Sequence, residues 1–389
     1  MKTRKHIAVA LPAVLIISTA CNQAEKKDTK QAETSATTTT TAEMTDDDLY
    51  PVVMKNKTGF IDASGKIIIE PQFDFTPIPS FGDKNHPKYY FKDGIALVLK
   101  IDTLKNSIEA LQFGIIDKTG KYVVEPTNKI INDYSEGLAV FSTGFSRDDK
   151  YGFIDKTGNV VIEPHYKEAH GFYEGLAAVK KDNLWGFIDK AGKFVIEPQY
   201  DFATAFFEGL AAVEKDNKYG FIDKTGKFVI EPKFARAKDF IKGLACCTIV
   251  VGEDNRKEGF IDKTGEFVIP PKFYWAHDFS EGLAAAKVEY SHDSKWGFID
   301  KSGEFVIDPS FDDAHDFFNG LACVEIGDRE NRKFGFIDKS GKYVIEPVYD
   351  EALGFIGKLA RVKKDSKYYY INLKGDIVWT SEEGMTLFK

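Results

Sequence analysis

Seven aspartates recur at one offset of a repeating pattern: Asp117, Asp155, Asp189, Asp223, Asp262, Asp300 and Asp338. Regularly spaced carboxylates could hold calcium, a hard cation that takes about six to eight oxygen ligands. Each of the seven is followed directly by lysine, whose charge opposes a bound cation. The reading that fits both residues is that each Asp caps its own turn. A second recurring acid precedes proline: Glu70, Glu125, Glu163, Glu197, Glu231 and Glu346. A general acid is conceivable there, but proline lacks an N–H and ends a ladder, so these glutamates mark strand ends. Catalysis needs unlike residues converging in different roles, whereas equivalent residues in every repeat indicate structure. No catalytic, cofactor-binding or metal-binding residue is assigned.

The histidines give no cluster either. His6, His86, His165 and His170 fall at differing offsets, as does His292, whereas His277 and His315 match each other, one residue after Ala276 and Ala314. That offset suits a core-edge or surface histidine, with a binding role as the alternative. Cys246 and Cys323 occupy the offset of Ala212 and Ala285, and Cys247 that of Val213, so small buried packing accounts for all three. Adjacent Cys246 and Cys247 point to opposite faces of a strand, and Cys246 is two repeats from Cys323; no bridge is expected. Serine-hydrolase, zinc-protease and phosphate-loop motifs are missing from the chain.

The elements that position these residues are one unit repeated. The glycine of the motif GFIDKTG recurs at Gly59, Gly114, Gly152, Gly186, Gly220, Gly259, Gly297 and Gly335, at spacings of 55, 38, 34, 34, 39, 38 and 38. A ninth, decayed copy runs from Tyr369 to Gly375. Such a period is the signature of a repeat architecture. Within a unit, Phe187-Ile188 and Phe194-Val195-Ile196 read as strands. Asp189-Lys190-Ala191-Gly192 between them has type I turn composition. The second strand ends at Glu197-Pro198. A connection carrying Tyr200, Ala203 and Phe206 at fixed offsets follows, then a small apolar strand from Leu210 to Val213. Each repeat reads as a three-stranded antiparallel meander plus a packed connection, with room there for a short fourth strand.

These residues resemble the WG-repeat (KWG) family. Trp185-Gly186 and Trp296-Gly297 carry the naming dipeptide, and Tyr151-Gly152, Tyr219-Gly220 and Phe334-Gly335 substitute another aromatic. The resemblance extends from about residue 50 to the C-terminus. It implies a bacterial β-repeat scaffold and fixes little about activity.

Residues 1–20 have a basic start, Lys2, Arg4 and Lys5, then an apolar run, then Ser18-Thr19-Ala20 before Cys21. This is a secretory signal, too short for a comfortable membrane span. Small residues ending at cysteine resemble a bacterial lipobox, with Ser18 where Leu is commoner. That implies cleavage before Cys21 and its acylation, and several acyl chains anchor a protein stably. Residues 21–49, rich in Thr, Ala and acid, read as a flexible tether. Loss of the three positive charges of residues 1–20 takes the net charge from −8 to −11. That diffuse acidity argues against a nucleic-acid partner.

The expectation is an all-β domain over 50–389, about nine three-stranded meanders in an open, solenoid-like stack with the decayed copy as its cap. A closed β-propeller is the alternative; nine blades exceed the usual number. Residues 77–92 read as an irregular insert. The functional expectation is a lipid-anchored envelope protein, in the outer membrane or at the cell surface, that binds protein or glycan without catalysis. An envelope hydrolase using a cleft in the array, and a purely structural component, are the alternatives.

Overall fold

A computed structural model describes residues 49–381 apart from 75–90, 92–93, 102–110, 128, 145, 147, 253–254, 292 and 329. The signal, the tether, Cys21, His6, His86, His292 and the bulk of the insert therefore lie outside the described residues.

The described chain forms nine antiparallel sheets, seven of four strands and two of three. Blade five shows the design: Phe202–Ala203, Ala211–Lys215, Lys218–Ile222 and Phe228–Phe234 pair in chain order. The connection thus supplies a first strand in seven sheets, two residues long in six of them and Ile130–Ser135 in the other, where three-stranded meanders with room for a short fourth strand were expected. The phase also differs. Ala211–Lys215 pairs with the strand that follows it, Ala211 opposite Ile222, and not with Phe194–Tyr200 before it. Each sequence repeat therefore straddles two blades. Local sequence marks the strands equally well in either phase; the choice is made by packing between blades.

The second strand is buried on both faces: Ala211, Ala212 and Val213 are fully covered. Small residues there let neighbouring blades approach. Cys246 packs with Phe260 and Ile269 on one side, and Cys247 with Phe221 and Ile230 on the other. Both, with Cys323, are free and buried, and burial pushes all three thiols up. The fourth strand forms the rim, where Val195, Val229, Val268 and Val306 remain nearly half exposed.

The open stack is overturned: the blades close into a ring, the propeller alternative. The first and last sheets share one core, in which Tyr50, Val52 and Phe60 meet Ile356, Leu359 and Tyr370. Tyr370 Oη donates to the Pro51 carbonyl at 2.8 Å, and the Lys358 N–H donates to Tyr50 Oη at 3.0 Å. The decayed copy is the closing blade and not a polar cap. Its Tyr370 supplies the ring and hydroxyl that grip blade one.

The meander assigns every loop to one of two faces of the ring. Hairpins between first and second strands, such as Glu208-Gly209, share a face with the Asp-to-Gly turns between third and fourth. Hairpins between second and third strands share the opposite face with the blade-to-blade connections. On the first face each capping Asp behaves as expected. Asp223 Oδ1 accepts from Thr225 N, Thr225 Oγ1 and Lys227 N at 2.9, 2.6 and 3.1 Å. The hydroxyl bond leads in holding this carboxyl below its ordinary value, as Ser302 does for Asp300.

Candidate ligand-binding cleft

Three hairpins between second and third strands, Asp182-Asn183, Asp216-Asn217 and Asp365-Ser366, and their equivalent between the first two strands of three-stranded blade one, Lys55-Asn56, are two-residue turns at positive φ. Blades six and seven depart from this. In blade six the strands lengthen to Ala245–Val251 and Asn255–Ile261, and in blade seven residues 288–295 separate the two strands. Tyr274, on the connection between these blades, donates its N–H to the Lys287 carbonyl at 2.8 Å. Its ring meets Tyr290 at 4.9 Å between centroids, 33° from parallel. Tyr290 is 81% exposed, and Trp275, 6.4 Å from Tyr274, is 48% exposed. Lys257 Nζ donates to the Val288 carbonyl at 2.9 Å and ties the blade-seven loop to blade six.

Between these groups lies an open cavity of about 600 Å³, lined by Asn255, Arg256, Lys257, Tyr274, Glu289 and Tyr290. Among the described residues Arg256 and Glu289 form no ion pair and Asn255 no side-chain hydrogen bond, so an amide, a guanidinium and a carboxylate face the cavity uncommitted. Aromatic rings left in water beside free hydrogen-bonding groups can recognise a ligand with both apolar faces and polar edges.

None of these lining residues was singled out in the sequence. The available signal was the lengthening of the spacing from 34 to 39 and 38, where the chain adds residues around Asn255 and Tyr290. Among the described residues no histidine lines the cleft. His277 and His315 are buried; His277 Nδ1 lies 3.0 Å from Asp316 Oδ1 of the next blade, and its ring packs on Trp296 at 4.9 Å between centroids, tilted by 55°. His170 stacks on Trp185, and burial pushes its imidazole down to about 4. His165 is exposed and packs beside Tyr166. The Glu-Pro glutamates lie along the exposed rim strands, apart from one another.

A family model for the WG containing repeat matches eight segments, 59–81, 113–144, 151–185, 185–219, 219–246, 259–290, 296–329 and 334–368, more than half of the chain. The chain belongs to the WG-repeat family. The WG dipeptide is structural in this ring. Trp185 is buried, and a Cβ on Gly186 would stand 2.6 Å from the Ile196 carbonyl oxygen and 2.7 Å from Pro198 N. Only glycine lets the third strand pass the bulged Glu-Pro strand so closely.

No curated protein matches the chain. Among solved structures, the WG-repeat ring is similar to a prolyl endopeptidase, at 10% identity over 67% of this chain and TM-score 0.41. The chain spans about half of that protein's length, 51%. It is also similar to the β-propeller domain of the Trilobed protease from Pyrococcus furiosus (7% identity, 67% of this chain, 100% of that chain, TM-score 0.38). A third likeness is to AztD from Citrobacter koseri (14% identity, 69% and 78% of the two chains, TM-score 0.33).

Proposed function

We propose that this protein is a lipid-anchored binding module of the bacterial envelope, and that the cleft between blades six and seven takes a glycan. The observation that carries this reading is the exposed pair Tyr274 and Tyr290, with Trp275 beside it and Asn255, Arg256 and Glu289 around it. Sugar rings present C–H faces that pack on aromatic rings. Their hydroxyls hydrogen-bond to amide, guanidinium and carboxylate groups. Glycoside hydrolysis ordinarily needs two carboxylates flanking the bond, and the described lining offers Glu289 alone, so the reading is binding without catalysis. Acyl chains on Cys21, with residues 22–49 as tether, would hold the ring at the membrane on the outer-membrane or cell-surface side.

Calorimetric titration of the full chain with cell-wall glycan fragments tests this. Saturable binding is expected, with Tyr290→Ala weakening it about tenfold, on the order of 1.4 kcal/mol, at unchanged melting temperature. Affinity unaffected by Tyr290→Ala, or an envelope protein bound saturably where no glycan is, would overturn it.

A further inference from the structure

Four seams of the ring share one clamp on the face opposite the cleft. A glutamate at the tip of one blade's first hairpin accepts the N–H of the matching glycine in the next blade. It also pairs with the lysine of that blade's Asp-Lys turn. The sets are Glu136 with Gly175 and Lys190, Glu174 with Gly209 and Lys224, Glu208 with Gly243 and Lys263, and Glu281 with Gly320 and Lys339. The lysine Nζ lies 3.1 Å from the carboxylate in all four and donates to the glutamate's own carbonyl at 2.9–3.0 Å.

The seam between blades six and seven keeps the donors and lacks the acceptor. The glutamate position holds Lys242, on the same tip backbone: φ is 53° there, against 50–52° at the four glutamates. Its partners would be Gly282 and Lys301. Among the described residues Lys301 forms no ion pair and no carbonyl hydrogen bond, and no carboxylate reaches the Gly282 N–H. Gly282 is exposed, whereas Gly175, Gly209, Gly243 and Gly320 are partly covered. The next-but-one seam is a contrast. There Asn319 replaces the glutamate and bonds the Gly357 carbonyl at 2.6 Å, and the turn lysine has gone too, replaced by Leu373. Where the acid is lost at that seam, its cation is lost with it; between blades six and seven two cations and a free N–H remain.

We propose that the Lys242–Gly282–Lys301 seam is a carboxylate-binding site, which takes an Asp or Glu side chain of a partner polypeptide in the seat that a glutamate of this chain fills at four other seams. A polypeptide is favoured because the seat is formed, four times over, around a glutamate side chain presented by a hairpin tip. Glu281 stands beside the site but is engaged with Lys339 and the Gly320 N–H, and forms no ion pair with Lys242 or Lys301. Burial lowers the Lys242 ammonium from its ordinary value, Glu281 opposes this, and Lys301 and Lys339 add to it. That is the field of a place short of negative charge. This site and the glycan cleft lie at opposite ends of one seam and stand or fall separately.

Fluorescence anisotropy of the full chain with a labelled oligoglutamate peptide reads the site. Saturable, salt-weakened binding is expected, with an oligoglutamine peptide at least about tenfold weaker. Lys242→Glu should place an internal carboxylate in the seat, lowering affinity about tenfold or more while raising the melting temperature. Lys242→Gln, which removes charge without supplying an acid, and Lys301→Gln should each weaken binding by about threefold or more. Lys224→Gln, at a filled seam, should leave it unchanged. Wild-type affinity in Lys242→Glu and Lys242→Gln, equal binding of the glutamine peptide, or tighter binding of a polyuronate than of the acidic peptide would each overturn the proposal.

Discussion

Gly65 of the first blade lies against Val378 of the last: a Cβ at Gly65 would stand 2.3 Å from the Val378 carbonyl oxygen. The same relation holds at internal seams, Gly120 against Ile69, Gly226 against Ile196 and Gly341 against Ile307. The first and last blades therefore meet through the contact that joins internal neighbours, and every blade has two neighbours.

Two of these turn glycines test closure. Gly226 and Gly341 have φ of 85° and 82°, where a side chain is strained, and their Cβ positions face Ile196 and Ile307 at 3.2 and 3.0 Å. Valine at either should cost roughly 1–3 kcal/mol. In a ring the two losses should be similar and extend across both flanking seams. Hydrogen exchange on each variant is the measurement. Damage confined to the C-terminal blade in Gly341→Val, beside a global loss in Gly226→Val, would contradict closure.

Strand identity and turn chemistry were legible because they are local: Asp223-Lys224-Thr225-Gly226 carries its own hydrogen-bond logic. Closure was not. It rests on Tyr50, Pro51 and Tyr370, ordinary strand residues, and on Lys358 in a turn, none of them marked locally until the first and last blades meet. The sheet phase was hidden for a related reason: Leu210 to Val213 is apolar on both faces and pairs with either neighbour on local grounds alone. The cleft left only a spacing signal, since Arg256, Tyr274 and Tyr290 come from a lengthened strand, a connection and a loop that the ring brings together.

The capping aspartates are expected to be insensitive to chelators. One oxygen of each is occupied by the turn itself, as Asp300 Oδ1 is by Ser302 N and Oγ at 2.8 and 2.5 Å, and the adjacent lysine opposes a cation. EDTA should leave the melting temperature unchanged, whereas Asp223→Ala should lower it. The Asp223 carboxyl is held low, chiefly by the Thr225 hydroxyl, so its contribution is present above about pH 4, the unfolded value, and disappears as pH falls through the lowered folded value. A large EDTA effect on the melting curve would show that the turns hold a metal.

Membrane attachment should depend on Cys21. The run Ser18-Thr19-Ala20 before it and the tether after it motivate the expectation. Cys21→Ala should move the protein from the membrane fraction to the soluble one, and mass spectrometry of the mature wild type should find an acylated residue 21 at its amino terminus. A variant that stays with membranes, or a mature chain beginning elsewhere, would remove the lipoprotein reading.

Asp239 carries a pH dependence of opposite sign. It is 3% exposed, and neither carboxylate oxygen accepts a hydrogen bond. The adjacent Lys238 directs its ammonium to the Ala276 carbonyl at 2.8 Å, and the Thr204 hydroxyl is turned to the Ala205 carbonyl. Burial pushes this carboxyl up to about 8; the charge of Asp278 adds to the rise, and Thr204 opposes it. The folded protein therefore keeps a proton here that the unfolded chain releases near pH 4. Stability from this group is complete below that pH and declines as pH rises toward 8. Asp239→Asn holds the neutral shape at every pH. The variant should match the wild type near pH 4 and exceed it by on the order of 1–3 kcal/mol at pH 8, the scale of a buried unpartnered polar group. Denaturant titrations at pH 4, 6 and 8 measure both curves. A wild type whose stability relative to Asp239→Asn is the same at all three values would show that Asp239 is ionised and satisfied in the folded ring.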